Sequence, residues 1–131
     1  MGPLTDTMKR QMREGQGDIK YAVEWTTLAE YLDHLVKRGV SCNIASFVGA
    51  TTVRIHEIGY ADRPPTPPEL ERMKTLVREA MAEGAVGLSS SLIYVPAFYA
   101  KTDELIALCQ EVGRMLGSMI SKPGPFLVTD L

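Results

Sequence analysis

Residues 66–91, TPPELERMKTLVREAMAEGAVGLSSS, hold the change of periodicity that decides the fold. Thr66 stands where an N-cap belongs, Pro67 takes the first helical turn, and Glu69 lies three residues past Thr66, the spacing of a capping box. Leu70, Met73, Leu76, Val77, Ala80 and Met81 then recur at the spacing of one helix face, and Gly84 ends the run. The next seven residues, AVGLSSS at 85–91, are short and apolar and open into hydroxyl side chains, as a buried strand running into a loop would. A helix followed at once by a short buried strand is half of an α/β repeat.

The same grammar extends in both directions. Upstream, Leu28, Tyr31, Leu32, Leu35 and Val36 form a helical stripe that starts at a Thr27/Glu30 capping box and stops at Gly39. VSCNIASFV, residues 40–48, reads as a strand covered on both faces, with Cys42 inside it. Residues 49–66 read as a connector holding one short helical turn around 52–57. Downstream, Thr102 caps a third helix whose stripe is Leu105, Leu108, Cys109, Val112 and Leu116, closed by Gly117. A final strand is expected in part of 118–128, interrupted by Pro123, Gly124 and Pro125. Residues 1–24 read as a polar leader with a short helix over 5–13, residues 25–117 as the α/β segment, and 118–131 as a divergent tail. The order α-β-α-β-α-(β) predicts parallel strands joined by crossovers. Such a sheet leaves two open edges, which parallel sheets normally bury, so the pattern reads as a piece of a larger fold.

Composition excludes several classes. Fourteen Lys and Arg against sixteen Asp and Glu give the 131-residue chain a net charge of −2, with no long basic run to grip nucleic acid or an anionic membrane. No apolar stretch approaches the roughly 20 residues of a membrane span. Two cysteines far apart in sequence fit reduced thiols in a cytoplasmic protein, and Cys42 and Cys109 read as core thiols.

Few residues present themselves for chemistry. A hydrolytic zinc site needs about three converging ligands. The chain has two histidines and no HxH, HExxH or CxxC spacing. His34 reads as a solvated helix residue and His56 as a surface or locally hydrogen-bonded one. Ser89, Ser90 and Ser91 lack the G-x-S-x-G elbow, so they read first as strand-end hydroxyls. Arg54, just past a strand, could bind a carboxylate; pairing with Glu57 is the favoured reading. Leu92–Thr102, LIYVPAFYAKT, brings Tyr94, Phe98 and Tyr99 to a strand end, where parallel α/β folds build pockets.

VEWTTLAEYLDHLVKRGVSCNIASFVGATTVR (23–54) and GYADRPPTPPELERMKTLVREAMAEGAVGLSSSLIYVPAFYAKTDELIALCQE (59–111) together resemble the N-acyl-D-amino-acid deacylases, the D-aminoacylase branch of the amidohydrolase superfamily. The resemblance implies an α/β fold, a partial (β/α)8 TIM barrel of about three consecutive strand–helix units. It also implies zinc-assisted hydrolysis of a small-molecule N-acyl-D-amino acid. The family's metal-binding HxH pair precedes the matching segment, and its later S-H-M-R stretch is replaced here by Ser121, Lys122 and Pro123. No metal ligand and no catalytic residue therefore carries over, and no cofactor is expected for this chain itself. What carries over is a pocket wall: Tyr94, with Ser89, Ser90 and Tyr99. The expectation is a truncated, inactive deacylase fragment. The alternative is a non-enzymatic domain whose strand edges pair in a homo-oligomer or against a partner.

Overall fold

Local sequence signals place most helix starts where they are found. The computed structural model describes residues 2–121, with side chains through residue 116. Helix α1 (Asp6–Glu14) is capped by the Thr5 hydroxyl, which accepts from the Met8 N–H. Helix α2 (Leu28–Arg38) carries the expected capping box: Thr27 accepts from the Glu30 N–H, and the Glu30 carboxylate accepts from the N–H groups of Thr26 and Thr27. Those backbone donors hold the Glu30 carboxyl below the ordinary carboxylate range. At the other end Gly39 takes φ 76°, a conformation open to glycine at little cost.

Strand β1 (Val48–Gly49) runs directly into α3 (Ala50–Ile58), and α4 (Pro67–Ala82) leads back to β2 (Leu88–Ser89). The two strands pair in parallel, Val48 opposite Leu88 and Gly49 opposite Ser89. Hydrogen bonds from Val86 N–H to Ser46 O and from Val48 N–H to Gly87 O, both 2.9 Å, carry the contact a little further back. A short 3₁₀ turn (Ala97–Tyr99) follows, then α5 (Thr102–Ser121). The parallel pairing and the helix–strand alternation agree with the expected α/β order.

Several expectations are corrected. The strand at 40–48 shrinks to its last residue plus Gly49, and residues 40–45 are exposed rather than covered on both faces. Among the described residues a single neighbouring strand pairs with it, so most of that backbone has no ladder to join there. Strand 85–91 likewise reduces to Leu88–Ser89. The connector's short turn is a nine-residue helix, because Ala50, Val53, Arg54 and Ile58 fall on one face that packs inward. Helix α5 passes through Gly117 to Ser121. Part of the expected final strand is thus helical, and the rest lies outside the described residues. Cys42 and Cys109 are both exposed, not core thiols. On α5 the buried positions are Glu104, Leu108 and Glu111, with Leu105, Val112 and Met115 half-buried, so Cys109 falls off the packed face.

The main core joins Leu28 of α2, Val48 of β1, Val53 of α3, Met73, Val77 and Met81 of α4, and Leu108 of α5. Each of these large side chains is fully buried. A second cluster of Leu4, Met8, Val23 and Trp25 packs on Tyr31 and Ile55. Among the described residues no helix is long and apolar enough to cross a membrane.

Candidate functional site

The C-terminal ends of β1 and β2 lie side by side, and the chain leaves them by two different routes. After Gly49 it turns at once into α3, which brings Arg54 inward to 1% exposure. After Ser89 it enters a loop, residues 90–101, that returns through the 3₁₀ turn to α5. Between them is a narrow cleft, too tight to admit a water molecule, lined by Thr51, Arg54, Ser90, Leu92, Ala97 and Glu104, among others.

Arg54 does not pair with Glu57. Its Nη1 donates to Glu104 Oε2 at 2.5 Å, and its Nη2 donates to the carbonyls of Arg63 at 2.7 Å and Ala61 at 3.3 Å. Glu104 is 5% exposed, so both charges are withdrawn from water. Nε of Arg54 is buried with no hydrogen-bond partner among the described residues. Glu57 instead accepts from Arg72 Nε at 2.6 Å and lies 3.0 Å from His56 Nδ1, in keeping with a local hydrogen-bonding role for His56. His34 departs from a solvated role: it is half-buried, its ring 4.9 Å from that of Trp25.

The sequence candidates fall within one segment. Ser89 is exposed at the end of β2, and Ser90 follows it on the cleft wall. Tyr94 is 66% exposed; its carbonyl accepts from the Phe98 N–H at 2.9 Å. Tyr99 is half-buried with its ring edge-on to Phe98, centroids 6.1 Å apart. Ile93, Val95 and Phe98 are exposed with Tyr94, which makes the loop an aromatic and aliphatic surface. Glu104 was missed from sequence: an acid in the first turn of a helix looks like a surface group favoured by the helix dipole. Its partner lies 50 residues away, beyond the reach of any spacing rule.

Among the described residues no group of three or more His, Cys, Asp or Glu side chains could hold an ion. Among the described residues the site offers a narrow cleft and a buried ion pair.

No family model matches the chain. Two curated relatives do, both from Alcaligenes xylosoxydans xylosoxydans: a D-aminoacylase, 39% identical over 82 residues, and an N-acyl-D-aspartate deacylase, 33% identical over 95 residues. The matching region is similar to N-acyl-D-amino-acid deacylases. The two alignments cover 63% and 72% of this chain but only 17% and 19% of the relatives, so the chain spans less than a fifth of their length. A crystal structure of D-aminoacylase, described as defining a novel subset of amidohydrolases, superposes with TM-score 0.65 at 31% identity. It covers 70% of this chain and 19% of the solved one. A D-aminoacylase structure concerned with that enzyme's binuclear metal centre matches equally well.

Proposed function

We propose that this chain is a strand–helix section of a (β/α)8 amidohydrolase barrel that hydrolyses N-acyl-D-amino acids, and that it contributes pocket wall rather than metal ligands. The observation that carries the reading is the joint match in sequence and in backbone to D-aminoacylase across most of the described chain. The parallel strand pair and the exposed loop at its C-terminal end support it, because barrels of this kind place substrate above the C-terminal ends of their strands. In this reading Tyr94 contacts the substrate, with Ser89, Ser90 and Tyr99 beside it. The zinc of the intact enzyme is held by residues outside this section, and the section alone is inactive.

A chimaera tests the proposal. The matching segment of the Alcaligenes D-aminoacylase is replaced by residues 23–111 of this chain and assayed on an N-acetyl-D-amino acid and its L enantiomer. Retained hydrolysis with preference for the D form is expected. A folded, metal-loaded chimaera that is inert toward both enantiomers overturns the assignment.

A further inference from the structure

The loop after β2 is not held in place by its own contacts. Its internal backbone hydrogen bonds are all short-range: Tyr94 N–H to Ser91 O at 3.4 Å, Phe98 N–H to Tyr94 O at 2.9 Å, Tyr99 N–H to Pro96 O at 3.1 Å, and Ala100 N–H to Ala97 O at 3.0 Å. Its middle, Ile93 to Val95, is exposed. Both of its ends, however, close on one feature. Ser90 and Leu92 on the outward path, and Ala97 and Ala100 on the return, wall the same cleft as Arg54 and Glu104.

We propose that Arg54 is a positioning residue for this loop, acting through Glu104; its functional meaning rests on the reading of the loop as pocket wall. The planar guanidinium presents its donors as a rigid fork, and here the fork is divided between two segments. One arm holds Glu104 in the first turn of α5; the other holds the Ala61 and Arg63 carbonyls between α3 and α4. Glu104 follows the loop by three residues. A carboxylate this deeply buried cannot leave its cation without exposing an uncompensated charge to the interior. The start of α5 is therefore pinned to α3, which itself begins at the end of β1. The loop then spans two fixed points, the end of β2 and the start of α5, and Tyr94 sits at its crest. A lysine at position 54 would supply a point charge for Glu104 but could not also bracket two carbonyls in the guanidinium plane.

Residue-resolved amide hydrogen exchange on the complete chain tests this without any substrate, so its outcome is independent of the deacylase reading. In Arg54→Met the amides of Phe98, Tyr99 and Ala100 should exchange about tenfold faster through local opening, while those of Val77 and Met81 in α4 speed up only as far as the variant's loss of global stability, read by urea denaturation, requires. Arg54→Lys should restore part of the protection. If Arg54→Met does not fold, Glu104→Gln, nearly isosteric, should show the same selective pattern at smaller size. A uniform rise across loop and α4, or no change in the loop, overturns the proposal: the pair would then support the fold as a whole and not position the loop.

Discussion

The Glu83 carboxylate, just past the end of α4, accepts hydrogen bonds from the backbone N–H groups of Leu28 at 2.9 Å and Ala29 at 3.2 Å, the first turn of α2. A helix start has several N–H groups without internal partners, and an anion there also meets the positive end of the helix dipole. Thr27 satisfies one donor locally; Glu83 satisfies two more from 55 residues away. Glu83→Ala should therefore destabilise the chain by about 2 kcal/mol, and Glu83→Gln by about 1 kcal/mol, since the amide still accepts but carries no charge. Urea denaturation measures both; a Glu83→Gln variant as stable as the parent would show that the charge contributes nothing.

The Arg54–Glu104 pair predicts strong non-additivity. Arg54→Met or Glu104→Leu alone leaves a buried charge without its partner and should cost about 3–5 kcal/mol. The double variant removes both charges and should cost much less than the sum, at most about 2 kcal/mol. A double-mutant cycle by chemical denaturation gives the coupling. Additive losses would place the pair's role in packing rather than charge.

Glu111, 2% exposed on α5, accepts from Arg78 at 3.0 Å and Arg114 at 2.6 Å and lies 3.5 Å from Lys74. Burial alone would raise its pKa from the ordinary 4.5. The Arg78 hydrogen bond and the charges of Arg114, Arg78 and Lys74 outweigh burial and hold it lower. With the folded value below the unfolded one, the native state binds fewer protons. The stabilisation is thus complete above about pH 4.5 and is lost as pH falls through the depressed folded value. Glu111→Gln should lower stability near neutral pH and flatten the acid limb of stability against pH. An unchanged acid limb would contradict this.

How much of this was legible in the sequence depended on the range of the signal. Helices α2 and α4 were readable because their caps, stripes and stops are local: Thr27 with Glu30, Thr66 with Glu69, and Gly39 and Gly84 at the ends. The aromatic loop was readable because Tyr94, Pro96, Phe98 and Tyr99 are crowded into one stretch without periodicity. Helix α3 was understated because Thr51, Thr52 and Val53 are β-branched and weak helix formers, while its buried face is set by packing. Strand 40–48 was overstated because an apolar run signals burial only when neighbouring strands exist to cover it. The Arg54–Glu104 and Glu83–Leu28 links join residues 50 and 55 positions apart, and no local pattern encodes them.

The most direct test of the pocket-wall assignment is steady-state kinetics on the D-aminoacylase chimaera carrying residues 23–111, comparing Tyr94 with Tyr94→Ala. If Tyr94 lines the site for the acyl-D-amino acid, KM for the D substrate should rise about tenfold with kcat changed by less than about threefold. An unchanged KM in a folded, active chimaera would contradict the account.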